Sequence, residues 1–295
     1  MMNLKEEIEA KKQYIDNELD NILPSESAYP GILFKSMRYS VFAGGKRLRP
    51  ILILAACEMF GGDDKKAAPF ACAMEMIHTY SLIHDDLPAI DNDNFRRGRL
   101  TNHKAFGENI AILAGDALLS YAFEVMANAV AKNTDEASAK ALQSIAFGAG
   151  INGMVSGQVV DVISEGKKLE KREMDFIHIN KTAAMIVASV KAGAYLGGAK
   201  QEDVDSLEKA ALKLGLAFQI QDDILDVTGT FEELGKPLHS DEKNEKATYV
   251  SMFGLERSTE IVEELSGDAE NIFMSFGEKG RFLAELTKYL VKRCS

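Results

Sequence analysis

Two long apolar stretches with helical spacing each end in a cluster of aspartates, and this feature constrains the fold most. The first stretch leads into four carboxylates within nine positions, namely Asp85, Asp86, Asp91 and Asp93. Acids at the end of a buried helix repel one another and also meet the negative end of the helix dipole. Clustered oxygen ligands suit a hard cation such as Mg²⁺, which would offset both effects. A solvated acidic turn is the alternative when this stretch is considered alone.

A second copy of the pattern strengthens the metal hypothesis. The segment 220–226 repeats the Ile-x-Asp-Asp-apolar pattern, 222 − 85 = 137 residues later, again after an apolar helical run. Asp222 and Asp226 are four residues apart, so both project from one helix face with roughly 5–6 Å between their Cβ atoms. We therefore expect two buried helices to bring their acidic ends to one metal cluster. The flanking sequences do not repeat, so the chain is not duplicated at the scale of a domain.

The hydrophobic spacing is helical almost throughout the 295 residues, with few alternating stretches. Hydrophobic residues make up 46% of the chain, which is enough for a large core. Neither a Pro/Ser linker nor a low-complexity segment divides it. We predict one all-α domain over residues 1–295. The predicted helices span about 3–20, 32–42, 50–60, 65–86, 106–131, 136–163, 169–180, 182–197, 202–227, 245–253, 255–275 and 279–292, with a long loop over 229–241.

Charge and cysteine content limit the partners and the compartment. The net charge of −11 argues against nucleic acid, which needs a basic surface, but a bound cation would still allow anionic small molecules. Cys57, Cys72 and Cys294 form neither a C-x-x-C pair nor a zinc spacing, as is typical of reduced thiols in a cytoplasmic protein. The charged N-terminus lacks a signal-peptide core, and we expect no apolar run of membrane-spanning length.

A turn with three cations precedes an apolar helix. Lys46, Arg47 and Arg49 lie in the segment 44–50, directly before that helix. Positive charge at a helix N-terminus is disfavoured by the dipole. An anion held by the cations and by the free N–H groups would resolve the conflict. A solvated basic turn is the alternative.

Other candidate anion ligands stand near the two acidic clusters. Arg96 and Arg97 follow the first cluster, where ion pairing to its aspartates is the alternative. Lys181 and Thr182 lie at a predicted helix junction, where a surface lysine and an N-cap threonine are the alternative to a phosphate site. His78 precedes the first cluster by seven residues, which places it on the helix face of the aspartate, although a core histidine is the alternative.

These residues together predict a class of chemistry. The scaffold is apolar and helical, with two acidic clusters of metal-binding type and at least three cationic sites, but no evident pair of nucleophile and base. Acids hold a metal ion, and the metal ion and the cations hold phosphate. The combination fits a reaction in which a metal ion makes a diphosphate a better leaving group. The apolar helices would then house an apolar substrate.

The sequence resembles the trans-isoprenyl diphosphate synthases from about Phe34 to its C-terminal end, most closely those of the bacterial farnesyl type. Four unbroken motifs carry the resemblance: the turn 44–50, the aspartate-rich segment 85–98, the pair Lys181-Thr182 and the segment 218–226. The resemblance implies an all-α isoprenoid-synthase bundle with a central active-site cavity. It also implies a homodimer with one complete active site in each subunit.

The resemblance implies roles for the acids and the cations. Asp85 and Asp91 would ligate Mg²⁺, or Mn²⁺, from one side and Asp222 from the other, with Asp226 acting through water. The second aspartate of each Asp-Asp pair would support them. The residues implied to hold the allylic diphosphate are Arg96, Lys181 and Lys236, with Thr182 and Gln219 nearby. Those implied to hold isopentenyl diphosphate are Lys46, Arg49, His78 and Arg97.

The reaction implied by the resemblance begins with ionisation of the allylic diphosphate to a carbocation. The isopentenyl double bond then attacks, and a proton passes to the departing diphosphate. The expected activity converts dimethylallyl or geranyl diphosphate to farnesyl diphosphate, and geranylgeranyl diphosphate synthesis is the alternative. A terpene cyclase would not need the second diphosphate site. A non-catalytic subunit of a heteromeric prenyl synthase would lack the aspartates, and both motifs are whole here.

Product length depends on the floor of the cavity. In the family, bulky residues just upstream of the first aspartate motif close the pocket, and Tyr80 lies five residues before Asp85. A period of 100° per residue puts Tyr80 well round the helix from Asp85 and Ser81 closer to its face. The resemblance therefore supports Tyr80 as the residue that closes the pocket, whereas the helix geometry favours Ser81. Residues of the facing helix such as Leu118 or Leu119 are further candidates.

Overall fold

The computed structural model describes residues 3–167, 169–229 and 248–291. Within these ranges the chain is helical apart from one antiparallel hairpin, which confirms the all-α prediction. That residues 1–295 form one domain stays a prediction. The elements of the first half are α1 (Leu4–Ile22), α2 (Gly31–Val41), α3 (Leu48–Met59), α4 (Asp64–Asp85), β1 (Phe95–Arg96), β2 (Arg99–Leu100), α5 (Asn102–Phe106), α6 (Glu108–Asn133) and α7 (Glu136–Ala149). Those of the second half are α8 (Met154–Ile163), α9 (Lys171–Ile177), the π-helical segment His178–Ala183, α10 (Ala184–Leu196), α11 (Gln201–Thr228), α12 (Tyr249–Phe253), α13 (Leu255–Met274), the 3₁₀ turn Gly277–Gly280 and α14 (Arg281–Val291).

Side-chain caps explain where several helices begin. Asn3 accepts a hydrogen bond from the backbone N–H of Glu6, whose carboxylate accepts one from the N–H of Asn3, so α1 begins with a capping box. Asp63 and Asp135 cap α4 and α7 by accepting from backbone N–H groups two and three residues further on. Pro50 lies in the first turn of α3, where its missing N–H leaves no helical bond unmade.

Helix α4 lies at the centre of the bundle and is buried on nearly every side. Its side chains from Phe70 to Ile77 are at most 2% exposed, as expected for a helix that is apolar all round. It packs against α1, α2, α3, α6, α7 and α10. A second core cluster joins α3 and α10 to α11, α13 and α14. The two helices that carry the aspartate clusters, α4 and α11, are therefore both anchored in the core.

Two predicted helical segments differ from the structure. The segment 136–163 is two helices, because Gly150 and Gly153 interrupt it, and a Cβ at Gly153 would lie 2.1 Å from the carbonyl oxygen of Gly148. The segments 169–180 and 182–197 form one continuous run, joined by the π-helical segment. No alternating pattern predicts the hairpin, because each of its strands has only two residues. The predicted loop over 229–241, including Lys236, lies almost wholly outside the described residues, as does Cys294.

Helix α6 contradicts the expectation that no apolar run reaches membrane-spanning length. By length and composition this one helix could cross a membrane, since it has 26 residues and a mean hydropathy of 1.6 in its most apolar window. One such helix is weak evidence for a membrane span, because core helices of soluble proteins pass the same test. Only 33% of that window is buried, and Ile112 and Leu113 are among its exposed apolar residues. The helix thus presents an apolar surface that something must cover.

Candidate active site

A cavity of about 550 Å³ opens between α3, α4, α8 and the π-helical segment. Its volume is in the range of ligand pockets that bind small molecules. The apolar part of its wall comes mainly from α8, with Val155, Val159, Val162 and Ile163. Seven of the residues singled out from the sequence line it, which are Arg49, His78, Tyr80, Ser81, Asp85, Lys181 and Thr182.

The first aspartate cluster begins at the last residue of α4. The backbone N–H of Asp91 donates to the carbonyl oxygen of Asp85 over 2.8 Å, so the turn folds back on the helix end. Burial raises the pKa of Asp85 to about 6. The positive charge of Lys181 lowers this pKa by a smaller amount, and the negative charge of Asp91 raises it further. This carboxylate has lost much of its water and has a like charge nearby, so a cation would stabilise it.

Asp86 points into the protein and holds Arg96. Its buried carboxylate accepts three hydrogen bonds from the Arg96 guanidinium, with N···O distances of 2.7, 2.8 and 3.0 Å. The ion-pairing alternative for Arg96 therefore holds, but the partner is Asp86 and not Asp91 or Asp93. The Arg97 guanidinium donates to the carbonyl oxygen of Gly44, which ties the hairpin to the basic turn. The hairpin thus fixes both arginines next to the aspartate cluster.

The cations of the basic turn have different environments. Arg47 is 3% exposed and forms ion pairs with Glu75 over 2.7 Å and with Asp16 over 2.8 Å, so it is a structural residue. Lys46 is exposed. Arg49 lines the cavity, and its Nε is a buried donor without a hydrogen-bond partner in the structure. A buried donor of this kind costs free energy unless an acceptor satisfies it, and a diphosphate oxygen in the cavity would do so.

His78 lies beside Arg49 on the cavity wall. Burial, and next the positive charge of Arg49, hold the pKa of His78 well below its usual range. Its imidazole is therefore neutral at pH 7 and carries one donor and one acceptor nitrogen. A neutral ring donor next to an unsatisfied guanidinium fits an anion site better than it fits an apolar core.

Lys181 and Thr182 lie within the π-helical segment, so the prediction of a helix junction with an N-cap threonine is wrong. Helix α8 packs very closely here, since a Cβ at Gly157 would lie 2.2 Å from the backbone nitrogen of Lys181. The Lys181 ammonium donates to the Asp161 carboxylate over 2.6 Å. The extra residue in the helical turn thereby brings the Lys181 and Thr182 side chains into the cavity wall.

The second aspartate cluster is joined to the π-helical segment by hydrogen bonds. Thr182 donates to the Gln219 amide oxygen over 2.8 Å, and the Gln219 amide nitrogen donates to Asp223 over 3.3 Å. Asp223 also accepts from the backbone N–H of Tyr249 and is 3% exposed. Asp222 is half-buried and lies close enough to Arg49 to raise the pKa of that arginine. Burial of Arg49 has the larger effect, so its pKa is lowered overall. The second Asp of this pair therefore faces the protein, as in the first cluster.

Four residues that the sequence analysis did not select belong to this neighbourhood. His178 stacks on Tyr249, with ring centroids 5.3 Å apart, and the Tyr249 hydroxyl donates to Asp175 over 2.6 Å. Asp161 is the partner of Lys181. The sequence offered one signal for Asp161, which is its spacing of four residues from Gly157 on an otherwise apolar stretch. This spacing places the acid on the face of α8 that packs most closely against the π-helical segment.

The described residues contain no group of three or more His, Cys, Asp or Glu side chains close enough to hold a metal ion. Mg²⁺ is usually held by one or two carboxylates together with substrate phosphates, and the metal cluster expected between the two helix ends stays a prediction. Asp85 and Asp91 offer oxygen ligands on one helix end and Asp222 on the other. The all-oxygen donor set and the raised pKa of Asp85 agree with a hard cation that arrives with its substrate.

Comparisons with known proteins show the family of the chain. The family profile described as Polyprenyl synthetase matches residues 30–272. The chain is 45% identical to the geranylgeranyl diphosphate synthase of Cyanophora paradoxa, over 99% of this chain and 97% of that one. It is 49% identical to a chloroplastic geranylgeranyl pyrophosphate synthase of Catharanthus roseus, over 88% of this chain and 74% of that one. The compartment and the farnesyl product expected from the sequence are thus not confirmed, and the relatives favour the geranylgeranyl alternative.

Solved structures share the fold. A FPP/GFPP synthase from Zymomonas mobilis is 35% identical, with a TM-score of 0.87 over 98% of this chain and 99% of that one. A geranyltransferase from Helicobacter pylori, complexed with magnesium and isoprenyl diphosphate, is 32% identical, with a TM-score of 0.85 over 99% of this chain and 97% of that one.

Proposed function

The chain belongs to the polyprenyl synthetase family of prenyltransferases, and we propose that it joins isopentenyl diphosphate head-to-tail to allylic diphosphates up to geranylgeranyl diphosphate. One observation carries the proposal. Asp85, Lys181 and Arg49, whose Nε has no hydrogen-bond partner, all line one largely apolar cavity. Such a cavity offers charged groups for diphosphate and an apolar wall for a prenyl chain.

We assign the two diphosphates to different cations. Lys181 lies at the π-helical segment and Arg96 at the hairpin, and with Thr182 and Gln219 they would hold the allylic diphosphate. Arg49 and His78 are close to each other in the wall of the same cavity. With Lys46 and Arg97 of the basic turn and the hairpin, they would hold isopentenyl diphosphate. Lys236, the remaining residue predicted for the allylic diphosphate, lies outside the described residues.

We assign the metal to the two aspartate clusters, with Asp85, Asp91 and Asp222 as ligands and Asp226 acting through water. Bound Mg²⁺, or Mn²⁺ in its place, would neutralise charge that develops on the leaving diphosphate. Lys181 and Arg96 would add positive charge to the same oxygens. The valines of α8 would exclude water from the allylic cation. Water that reached the cation would add to it and give an alcohol in place of the longer prenyl diphosphate.

Two products are candidates. Geranylgeranyl diphosphate is the first, because the names of the related sequences favour it. Farnesyl diphosphate is the second, because the ring of Tyr80 stands in the cavity wall, where it would shorten the space for the tail. The test is to incubate the purified chain with isopentenyl and dimethylallyl diphosphate and Mg²⁺ and to identify products by mass spectrometry. Twenty-carbon chains support the first candidate, fifteen-carbon chains the second, and no prenyl product contradicts the proposal.

We also propose that the chain forms a homodimer. Large apolar side chains are exposed on α6, on α7 and just after α7, including Ile112, Leu113, Phe147 and Ile151, which is 80% exposed. Exposed apolar patches mark sites of interaction with a protein or a membrane, and we assign this one to a second copy of the chain. The mass in dilute solution, measured by light scattering, should be twice that of one chain. A monomer at all concentrations would contradict the proposal.

A further inference from the structure

The His84 side chain occupies a position between the cavity and helix α6. His84 follows Tyr80 by four residues on α4, so the two side chains are neighbours on one helix face. Their rings meet edge to face, with centroids 5.7 Å apart and planes at 88°. Both residues line the cavity. The imidazole therefore packs against the Tyr80 ring from one side.

Helix α6 holds the other side of the imidazole. The Nε2 atom of His84 lies 3.1 Å from the carbonyl oxygen of Ile112, at hydrogen-bond distance. A Cβ at Gly115 would lie 2.2 Å from this Nε2 and 2.5 Å from Cδ2, so any side chain at position 115 would force the imidazole to move. The ring thus fills the space that any residue larger than glycine at position 115 would need.

These contacts leave the ring little freedom. It is bounded by Tyr80, by the backbone of α6 at Ile112 and Gly115, and by the cavity. A ring pushed from α6 would be displaced toward Tyr80 and the cavity, both of which lie on its side away from Gly115. A ring that is removed leaves space beside Tyr80, and the Tyr80 side chain can then turn away from the cavity.

We propose that His84, seated on Gly115, is a residue that determines product length, because it sets how far the Tyr80 ring projects into the cavity. The inference rests on the proposed prenyl transfer. Deleting the imidazole should deepen the space for the tail, and adding a methyl group at position 115 should reduce it. The two changes therefore act in opposite directions on the length of the product, which a purely structural role of His84 does not predict.

The test measures the distribution of chain lengths made by four proteins from the same substrates. His84→Ala should raise the ratio of longer to shorter products, and Gly115→Ala should lower it, each by roughly tenfold, as for one or two methylene groups in an apolar pocket. The double variant should return toward the wild-type ratio, because the methyl group then occupies space that the ring has vacated. His84→Phe, which keeps a ring but not the bond to Ile112, should also stay near the wild-type ratio.

Gly267→Ala is the matched control, because a Cβ there meets no atom within 4 Å, and its product ratio should not change. Thermal unfolding of each variant confirms that the compared proteins are folded. If Gly115→Ala does not fold, the comparison of His84→Ala with His84→Phe decides. Folded, active His84→Ala with the wild-type ratio overturns the inference. Absence of prenyl products from the wild-type chain instead overturns the proposed function.

Discussion

The ammonium of Lys181 lies 2.6 Å from the carboxylate of Asp161, and this pair joins the π-helical segment to α8 across one edge of the cavity. Both side chains are mostly shielded from water, with 26% and 16% of their area exposed. The contact holds the amine at the wall, where we place the allylic diphosphate. Asp161 therefore acts on the reaction through Lys181, as a residue that positions it.

Asp161→Asn should raise KM for the allylic substrate more than KM for isopentenyl diphosphate. The neutral amide of the variant no longer holds the Lys181 ammonium by charge. The ammonium therefore spends part of its time away from the diphosphate. A charge-assisted hydrogen bond contributes about 1.5–3 kcal/mol, so a rise of roughly tenfold is expected. Steady-state kinetics with each substrate varied in turn measure the effect. Asp175→Asn, which removes a carboxylate outside the cavity wall, is the control, and equal rises for both substrates would argue against the role.

Arg49→Ala should show the opposite preference. We expect KM for isopentenyl diphosphate to rise by roughly tenfold or more, and KM for geranyl diphosphate to change little, because the variant loses one charged hydrogen bond at one site. Arg47→Ala is the informative control. Its loss leaves Glu75 as a buried charge without its partner and should cost about 3–5 kcal/mol of stability while the two KM values keep their ratio. An Arg49→Ala enzyme that is weakened equally for both substrates contradicts the assignment.

Chelation should abolish turnover. The two clusters supply oxygen ligands, and no zinc-type cysteine pattern occurs in the sequence. We expect EDTA to stop product formation and excess Mg²⁺ or Mn²⁺ to restore it. Asp85→Ala and Asp222→Ala should raise the Mg²⁺ concentration needed for half-maximal rate, which titration calorimetry with an unreactive diphosphate analogue checks independently. Full activity in the presence of chelator would exclude the metal site.

The stability of the fold should depend on pH through His178. Burial lowers the pKa of His178 to about 4, below its unfolded value of 6.5. Between these values the unfolded chain binds the proton and the folded chain does not, so the free energy of unfolding rises with pH over that window and is reduced below it. The full difference is about 3 kcal/mol for a shift of this size. Urea denaturation at pH 4.5 and 7 measures it, and His178→Phe should show a smaller difference. An unchanged difference in the variant would assign the effect to other groups.

Tyr80→Ala should lengthen the product by at least one isoprene unit. Tyr80 is 7% exposed and lines the cavity, so truncation opens space along an apolar wall that can accept an apolar tail. The alternative is that the ring only packs between helices, in which case the variant loses about 3–5 kcal/mol of stability and keeps its product. Mass spectrometry of the products together with thermal unfolding separates the two. Ser81 and Leu118 become the next candidates if product length does not change.

The sequence was sufficient for the helices and for most of the site, for a physical reason. Helical periodicity and caps are local, so they can be read from residues within one or two turns. The central helix α4 illustrates this, since its run from Phe70 to Ile77 is apolar except for Glu75 and is buried on all sides. The aspartate clusters, Lys181-Thr182 and Arg49 were identified because unfavourable charge at buried helix ends needs a ligand. Four of these residues, Arg49, Asp85, Lys181 and Thr182, line one cavity.

The geometric argument about Tyr80 and Ser81 shows where local reasoning stops. Simple periodicity favoured Ser81, yet both side chains line the cavity. A cavity wall spans a wide arc of a helix, because neighbouring helices set how much of its surface remains uncovered. The close approach of α6 at Gly115 is one such contact, and no periodicity predicts it.

Local pattern thus determined the all-α class and the two acidic helix ends, and it supplied the residues that we propose as ligands for metal and phosphate. Tertiary structure alone decided which charges remain available to a substrate. Arg47 and Arg49 stand two residues apart in one basic turn, yet Arg47 is taken up by Glu75 and Asp16 while Arg49 keeps an unsatisfied Nε beside the cavity. The partners that make this difference come from α1 and α4, 31 and 28 residues away from Arg47 in the chain. Charge pairing over such separations depends on how helices pack, and helix packing is a property of the whole bundle.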